Sequence, residues 1–172
     1  METQNLILRG WTEADMPEFA RLNSDDRVME WFLKPLSYTE TAEMYAQIQE
    51  EFRHCGFGVY AVEEKSTHAF IGIVGLHRIT FQADFTPAVE ILWRLLPGFW
   101  GKGYAAEAAA ACLEYAKKEL NLKEIYAFTS LHNKRSERIM QKIGMQRVKE
   151  FGHPLVEAAH PLHLHVLYRI EL

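Results

Sequence analysis

The sequence predicts a single mixed α/β domain, on three observations. The chain has 172 residues, a common size for one folded domain. Apolar residues make up 48% and charged residues 24%, the balance of an ordinary globular protein. Short apolar segments typical of strands are interspersed with segments of helical spacing, and no repeat, linker or low-complexity block divides them. We therefore expect one domain over residues 1–172, with the order β-α-α-α-β-β-β-α-β-α-β-β.

Capping residues and helical spacing predict three helices between the first two strands. A Thr followed three residues later by Asp is typical of a helix start, and the pair stands at Thr12 and Asp15. The three helices are expected to begin at Thr12, near Asp26 and at Thr39, the second continuing to about residue 32. Gly56 is expected to end the third, because glycine adopts the left-handed conformation that closes many helices.

Seven segments are predicted to be strands from their β-branched and aromatic content or their alternation of apolar and polar residues. They lie at residues 5–9, 57–62, 69–76, 88–96, 123–129, 146–151 and 163–172. The polar stretch EEKSTH between the second and third is typical of a hairpin turn. An alanine-rich helix follows the fourth strand, and residues 133–143 form a last helix that Gly144 ends.

Charge and composition argue against several classes of protein. The formal net charge is −4, whereas nucleic-acid binders are usually basic. No apolar run approaches a length of about 18 residues, which a membrane span needs. No secretory leader is visible. Two cysteines, Cys55 and Cys112, are too few for a disulfide framework or a four-cysteine zinc site. We expect a cytoplasmic protein without nucleic-acid or membrane partners, as a monomer or a homodimer.

The segment PGFWGKGYAAEAAAACLEYAKKEL, residues 97–120, places a glycine-rich turn directly before the alanine helix. The first amides of a helix have no intrahelical acceptor, and the helix dipole adds partial positive charge there. Gly101 and Gly103 would let the backbone approach an anion closely, and Lys102 adds a full charge. The small alanines would let the helix lie close to the sheet. The segment predicts a phosphate-binding turn; a plain cluster of loop glycines is the alternative.

The spacing of this turn excludes two common nucleotide motifs. No Gly-Lys-Ser/Thr ending follows Gly98 at the spacing of a Walker loop. The string GFWGKG has the glycine order GxxGxG and not the GxGxxG of dinucleotide-binding folds. A second polar and basic helix start, in NKRSERIMQKIGM at residues 133–145, follows the next strand.

These motifs together resemble those of the GNAT N-acetyltransferase superfamily. WGKGYA, residues 100–105, is similar to its acetyl-coenzyme A turn, Gln/Arg-x-x-Gly-x-Gly/Ala, and residues 133–145 resemble the helix that follows. The opening LILRGWTEADMPEFARLNSDDRVMEWF resembles the ribosomal-protein alanine acetyltransferase branch. The resemblance covers nearly the whole chain. It implies a twisted, mostly antiparallel sheet of about seven strands, splayed between the fourth and fifth, with helices on both faces.

The resemblance also implies acetyl-CoA as co-substrate and a set of residues that bind it. Its pyrophosphate would lie on the turn, with the pantetheine arm along the fourth strand. Asn133 would bind the pantetheine or adenosine side, and Ser136 would lie near the sulfur. The expected turn residues are Trp100, Gly101, Lys102, Gly103, Tyr104 and Ala105, and the expected strand residues are Trp93, Arg94 and Leu95. Three basic residues could meet the 3′-phosphate or simply face solvent: Lys134, Arg135 and Arg138.

Two residues are candidates for the proton transfers of acetyl transfer to an amine. Glu90 stands in a mostly apolar strand, where burial would raise its pKa toward the range of a general base. The alternative is a salt bridge from Glu90 to Arg94 or another basic residue, with a water as the base. Met140 stands where many family members have the Tyr that protonates the leaving thiolate. The resemblance suggests that Ser136 substitutes for it.

The acceptor side and the histidines carry weaker signals. Trp31 and Phe32 either pack in the core or, as the resemblance implies, wall the acceptor groove. His77, at the end of a strand, is a candidate for substrate contact, with an ordinary loop histidine as the alternative. His163 and His165 share one face of the last strand and could bind a metal, but a polar strand face is the plainer interpretation, and we expect no metal site.

The family resemblance leaves the acceptor open. It is a protein N-terminal amine or a small molecule such as an amino acid, a polyamine or an antibiotic. The alternative function is a catalytically weak module that senses acyl-CoA, which the Met at position 140 favours. A different enzyme with a phosphate-bearing ligand would be indicated by binding of ATP without acetyl-CoA.

Overall fold

Seven strands form one sheet, ordered β1-β2-β3-β4-β5-β7-β6, in a computed structural model that describes residues 1–172. The strands are β1 (Leu6–Arg9), β2 (Val59–Glu64), β3 (Ala69–Arg78), β4 (Val89–Leu95), β5 (Glu124–Ser130), β6 (Gln146–Gly152) and β7 (Leu164–Glu171). The helices are α1 (Met16–Ser24), α2 (Asp26–Met29), α3 (Tyr38–Cys55), α4 (Tyr104–Lys118) and α5 (Lys134–Lys142). The predicted order of elements is confirmed. No helix has the length and apolar character that crossing a membrane requires.

The sheet opens between β4 and β5, as the family resemblance implied. Strands β1 to β4 pair antiparallel in chain order, and β5, β7 and β6 form a second antiparallel group. The two groups are joined by a parallel pairing in which only Glu90 and Tyr126 are in register. Beyond Glu90 the strands diverge, so the second half of β4 has a free edge that faces the opening.

Two apolar layers cover opposite faces of the sheet. One contains the alanines of α4, of which Ala108, Ala109 and Ala116 are fully buried against the strands. The other contains Phe19 and Leu22 of α1 with residues of α2 and α3. The small side chains of α4 therefore place its backbone close to the sheet, as predicted, and bring its N-terminus to the end of β4.

The predicted boundaries need local corrections. Thr12 and Asp15 form the expected capping box, with the Thr12 amide donating to the Asp15 carboxylate at 2.8 Å, but a single 3₁₀ turn precedes α1. Helix α2 ends at Met29, not near residue 32. Phe32 donates its amide to the Met29 carbonyl in a tight turn. Pro35 follows closely and disfavours helical backbone in the residue before it, so the segment that carries Phe32 is a loop.

Candidate active site

The turn between β4 and α4 presents a row of unpaired amides. Gly101 and Gly103 have φ angles of 77° and 84°, in the left-handed region that favours glycine. Glu107 is the first residue after the turn whose amide has an acceptor, the Gly103 carbonyl at 3.0 Å. The amides of residues 101–106 have no backbone or side-chain acceptor. With the positive end of the α4 dipole, this arrangement of unpaired amides is chemically suited to an anion.

The lysine within this turn pairs with a carboxylate of β2. Lys102 Nζ lies 3.4 Å from the Glu64 carboxylate and 4.9 Å from the centre of the Phe99 ring. The cation that approaches the turn is instead Lys142 of α5, whose Nζ stands 3.7 Å from the place a Cβ on Gly103 would occupy. Sequence reasoning missed Lys142, because only the packing of α5 beside α4 brings it to the turn.

The free edge of β4 offers backbone groups to an extended ligand. In an antiparallel pair, successive residues direct their hydrogen-bonding groups alternately toward and away from the partner strand. The Leu96 amide donates to the Ile71 carbonyl beside β3, so Arg94 also directs its backbone to β3. The backbones of Trp93 and Leu95 face the opening, where strand pairing has ended. Of the three predicted strand residues, these two are therefore the ones positioned to pair with a ligand.

Two tryptophans lie along this opening. The Trp100 indole donates to the Leu95 carbonyl at 2.7 Å, which occupies that acceptor and fixes the turn against β4. The Arg135 guanidinium stacks 4.5 Å from the centre of the Trp100 ring. The Trp93 indole donates to Ser136 Oγ at 3.0 Å and links β4 to α5 across the opening.

Ser136 is held in place by the cap of α5. Asn133 Oδ1 accepts the Ser136 amide at 3.2 Å, and Asn133 Nδ2 donates to Thr129 Oγ1 at 2.9 Å. The amide group of Asn133 is thereby occupied within the protein, so its role in the structure is to position α5. Ser136 accepts from the Trp93 indole and makes no hydrogen bond as a donor, which leaves its proton free for a group in the opening.

An acid–base cluster lies at the start of β4 on the side of α3. His77 and Glu90 are register partners on β3 and β4, and His77 Nδ1 lies 2.9 Å from a carboxylate oxygen of Glu51. Burial raises the pKa of Glu90 to about 7, the His77 charge opposes the rise and the Glu51 charge adds to it. The hydrogen bond to Glu51 raises the pKa of His77. Glu90 forms no salt bridge with Arg94 or with another basic residue, so the paired alternative is wrong, and the choice between Glu90 and a water as the base stays a prediction.

Aromatic residues after α2 lie beside β4, on the same side of the sheet as Glu90. Phe32 is 43% exposed, and its ring centre lies 4.3 Å from the Arg94 guanidinium. Trp31 is partly buried. Arg94 also donates through Nη1 to the side chain of the fully buried Asn23. The sequence did not single out Asn23, since a lone Asn in an amphipathic helix carries no functional signal.

The late histidines form part of an aromatic cluster. His165 is buried, and its ring centre lies 4.9 Å from that of His153 and near those of Phe128 and Phe151. Burial lowers the pKa of His153 to about 4 and also lowers that of His165. The expectation of a polar strand face is therefore wrong for His165. No group of three or more His, Cys, Asp or Glu side chains is arranged to hold a metal ion.

The splayed sheet therefore places a row of unpaired amides beside the free edge of β4. Comparison with known proteins gives the family. The model of the acetyltransferase (GNAT) domain matches residues 5–146. The chain therefore belongs to the GNAT acetyltransferase family.

Two relatives and one solved structure are similar to most of this chain. The uncharacterized N-acetyltransferase YnaD of Bacillus subtilis is 31% identical over 84% of this chain and 81% of its own length. The spermidine N(1)-acetyltransferase of Escherichia coli is 24% identical over 85% of this chain and 75% of its own. The crystal structure of an acetyltransferase from Agrobacterium tumefaciens superposes with a TM-score of 0.80 at 26% identity, covering 100% and 94% of the two chains.

Proposed function

We propose that this protein is an acetyl-CoA-dependent N-acetyltransferase in which a primary amine attacks the acetyl group directly. The observation that carries the proposal is the row of unpaired amides at residues 101–106, beside the free edge of β4. The amides of Gly101 to Ala105, with Lys142, would hold the pyrophosphate. The backbone of Trp93 and the amide of Leu95 would pair with the pantetheine arm. The bound co-substrate supplies the activated acetyl group.

The side chains around the opening would carry the proton transfers. Glu90, with a pKa raised to about 7 by burial, would take the proton of the incoming amine directly or through a water. A Trp93 or Leu95 amide would donate to the oxygen on which negative charge develops. The Ser136 hydroxyl, whose oxygen accepts from Trp93, would donate its proton toward the departing sulfur.

Replacing Ser136 by alanine tests the last of these roles. We expect Ser136→Ala to lower kcat by about tenfold, at the low end of what a general acid contributes, with little change in the Kd for coenzyme A. Trp93→Phe is the matched variant, since it removes the same hydrogen bond but keeps the hydroxyl, and we expect a smaller loss in kcat. Steady-state kinetics that show equal losses in kcat for both variants would contradict a donor role for Ser136.

The chemical class of the acceptor amine is a separate question. The N-terminal segment resembles the ribosomal-protein alanine branch, which makes a protein N-terminal amine one candidate. The Escherichia coli relative named for spermidine makes a polyamine another. Amino acids form a third class, and the structure bears on this choice through Arg94, as argued below.

The runner-up function is a catalytically weak acyl-CoA-binding module. One observation favours it. Met140 is 1% exposed inside the core, so no phenol takes the place of the family's usual Tyr. In that case the protein would bind coenzyme A but release no thiol in response to amines.

Thiol release decides between the two functions. The purified protein is incubated with acetyl-CoA and a panel of peptides with free N-termini, polyamines, amino acids and simple amines, and free thiol is measured. We expect release that depends on one acceptor class, with an equal amount of acetylated amine by mass spectrometry. Tight binding of coenzyme A without amine-dependent release over the whole panel would support the sensor instead.

A further inference from the structure

Arg94 carries a cationic group that the protein leaves without a counter-ion. No carboxylate forms an ion pair with it, and its only hydrogen bond is from Nη1 to the Asn23 side chain. Its Nε is buried and has no hydrogen-bond partner. The other partly buried arginines, Arg9 and Arg169, each pair with two carboxylates. Burying a charged group without a partner is costly, so this arrangement points to a partner that comes from outside the chain.

The guanidinium is held in a fixed orientation. Asn23 is fully buried on α1, and its side-chain amide donates to Thr41 of α3 at 3.3 Å. The guanidinium carbon of Arg94 also lies over the Phe32 ring, 4.3 Å from the ring centre. Burial lowers the pKa of Arg94 to about 10, so the group still carries its charge at neutral pH. A fixed, charged fork of this kind suits a carboxylate better than a single point charge does.

The guanidinium is also open to a ligand. Nη2 has no hydrogen-bond partner in the protein, but it is not among the buried unpaired atoms, so it keeps contact with solvent. Phe32, which covers the group, is 43% exposed in a loop at the protein surface. Arg94 lies on the same strand and the same side of the sheet as Glu90, four residues further on. In an extended strand this separates the two Cα atoms by about 13 Å.

We infer that Arg94 receives a carboxylate of the acceptor, so that the acceptor is an amine that also carries a carboxylate, such as an amino acid. This inference rests on the proposed function and specifies the acceptor. The amine would lie near Glu90. The carboxylate would accept a hydrogen bond from Nη2 of Arg94, beside Phe32. A polyamine would bring positive charge against this guanidinium, which disfavours that class.

Matched pairs of amines test the inference. The probes are ω-amino acids of increasing chain length and the n-alkylamines of the same length, with spermidine as a third arm. Two quantities are measured: kcat/KM from thiol release, and the Kd of each ω-amino acid by calorimetry with the protein saturated with coenzyme A. A series of chain lengths is needed because the best distance between the amine and the carboxylate depends on how the acceptor lies between Glu90 and Arg94.

We expect the best ω-amino acid to exceed its matched alkylamine in kcat/KM by about tenfold or more, and to exceed spermidine. Arg94→Gln should bring that ratio close to one, mainly through KM. Arg94→Lys, which keeps the charge but not the fork, should retain part of it. Arg21→Gln, which removes an arginine from the exposed face of α1, should keep the full preference.

Two results would overturn the inference while leaving the proposed function intact. They are acetylation that prefers alkylamines or spermidine, and a carboxylate preference that Arg94→Gln does not change. If no amine is acetylated, the proposed function fails and the calorimetry decides the inference. Binding of an ω-amino acid that Arg94→Gln abolishes would support it. No binding, or binding unchanged by Arg94→Gln, would overturn it.

Discussion

Replacing Gly103 by valine is expected to weaken the binding of coenzyme A by about 30-fold, or about 2 kcal/mol. Gly103 adopts a φ of 84°, which a β-branched residue does not tolerate. The turn must therefore change its backbone conformation, and the amides of residues 101–106 would no longer converge on one point. Isothermal titration of coenzyme A into the two proteins measures the change in Kd.

The neighbouring Gly98 provides the matched control. Its φ lies outside the left-handed region, and a Cβ there would meet no atom within 4 Å. We expect Gly98→Ala to bind coenzyme A like the original protein. Thermal unfolding of both variants, followed by circular dichroism, separates a changed turn from a misfolded protein. A folded Gly103→Val variant with unchanged affinity would mean that the amides of the turn do not hold the ligand.

Replacing Glu90 by glutamine is expected to lower kcat/KM by about 100-fold at pH 8, the range typical of a lost general base. A base must be ionised to accept a proton, and burial raises the pKa of Glu90 to about 7. In the original protein kcat/KM should therefore rise with pH up to about 7 and level off above it. In Glu90→Gln this rise should disappear.

Two controls separate Glu90 from other titrating groups. If the rise of kcat/KM near pH 7 reflects a group of the protein, it should appear at the same pH for acceptors whose amines differ in pKa. His77→Gln removes a positive charge that lowers the pKa of Glu90, so the rise should move to higher pH. A pH profile of Glu90→Gln that keeps the rise near pH 7 would show that another group or a water is the base.

The order of elements and the position of the turn were predictable because both depend on local sequence. Alternation of apolar residues marks strands, and the glycines followed by alanines mark a turn before a closely packed helix. The burial of Ala108 and Ala109 and the left-handed conformations of Gly101 and Gly103 are direct consequences of those residue types. The opening beside β4, in contrast, was implied by family resemblance and not by the sequence pattern itself.

The contacts that define the site were less predictable because they join distant parts of the chain. Lys142 approaches the turn through the packing of α5, while Lys102, the obvious cation, turns to Glu64. The orientation of Arg94 depends on Asn23 and on a loop that carries Phe32. Neither a periodicity nor a motif records these contacts, so only the three-dimensional arrangement shows which charges are paired and which are free.

The central claim is that the unpaired amides of the turn bind the diphosphate part of the co-substrate. Its most direct test is calorimetric titration of coenzyme A and of pantetheine, which lacks that part, into the original protein and Gly103→Val. We predict that the original protein binds coenzyme A about 100-fold tighter than pantetheine, and that the ratio falls below about tenfold in the variant. The same ratio in both proteins would contradict the claim.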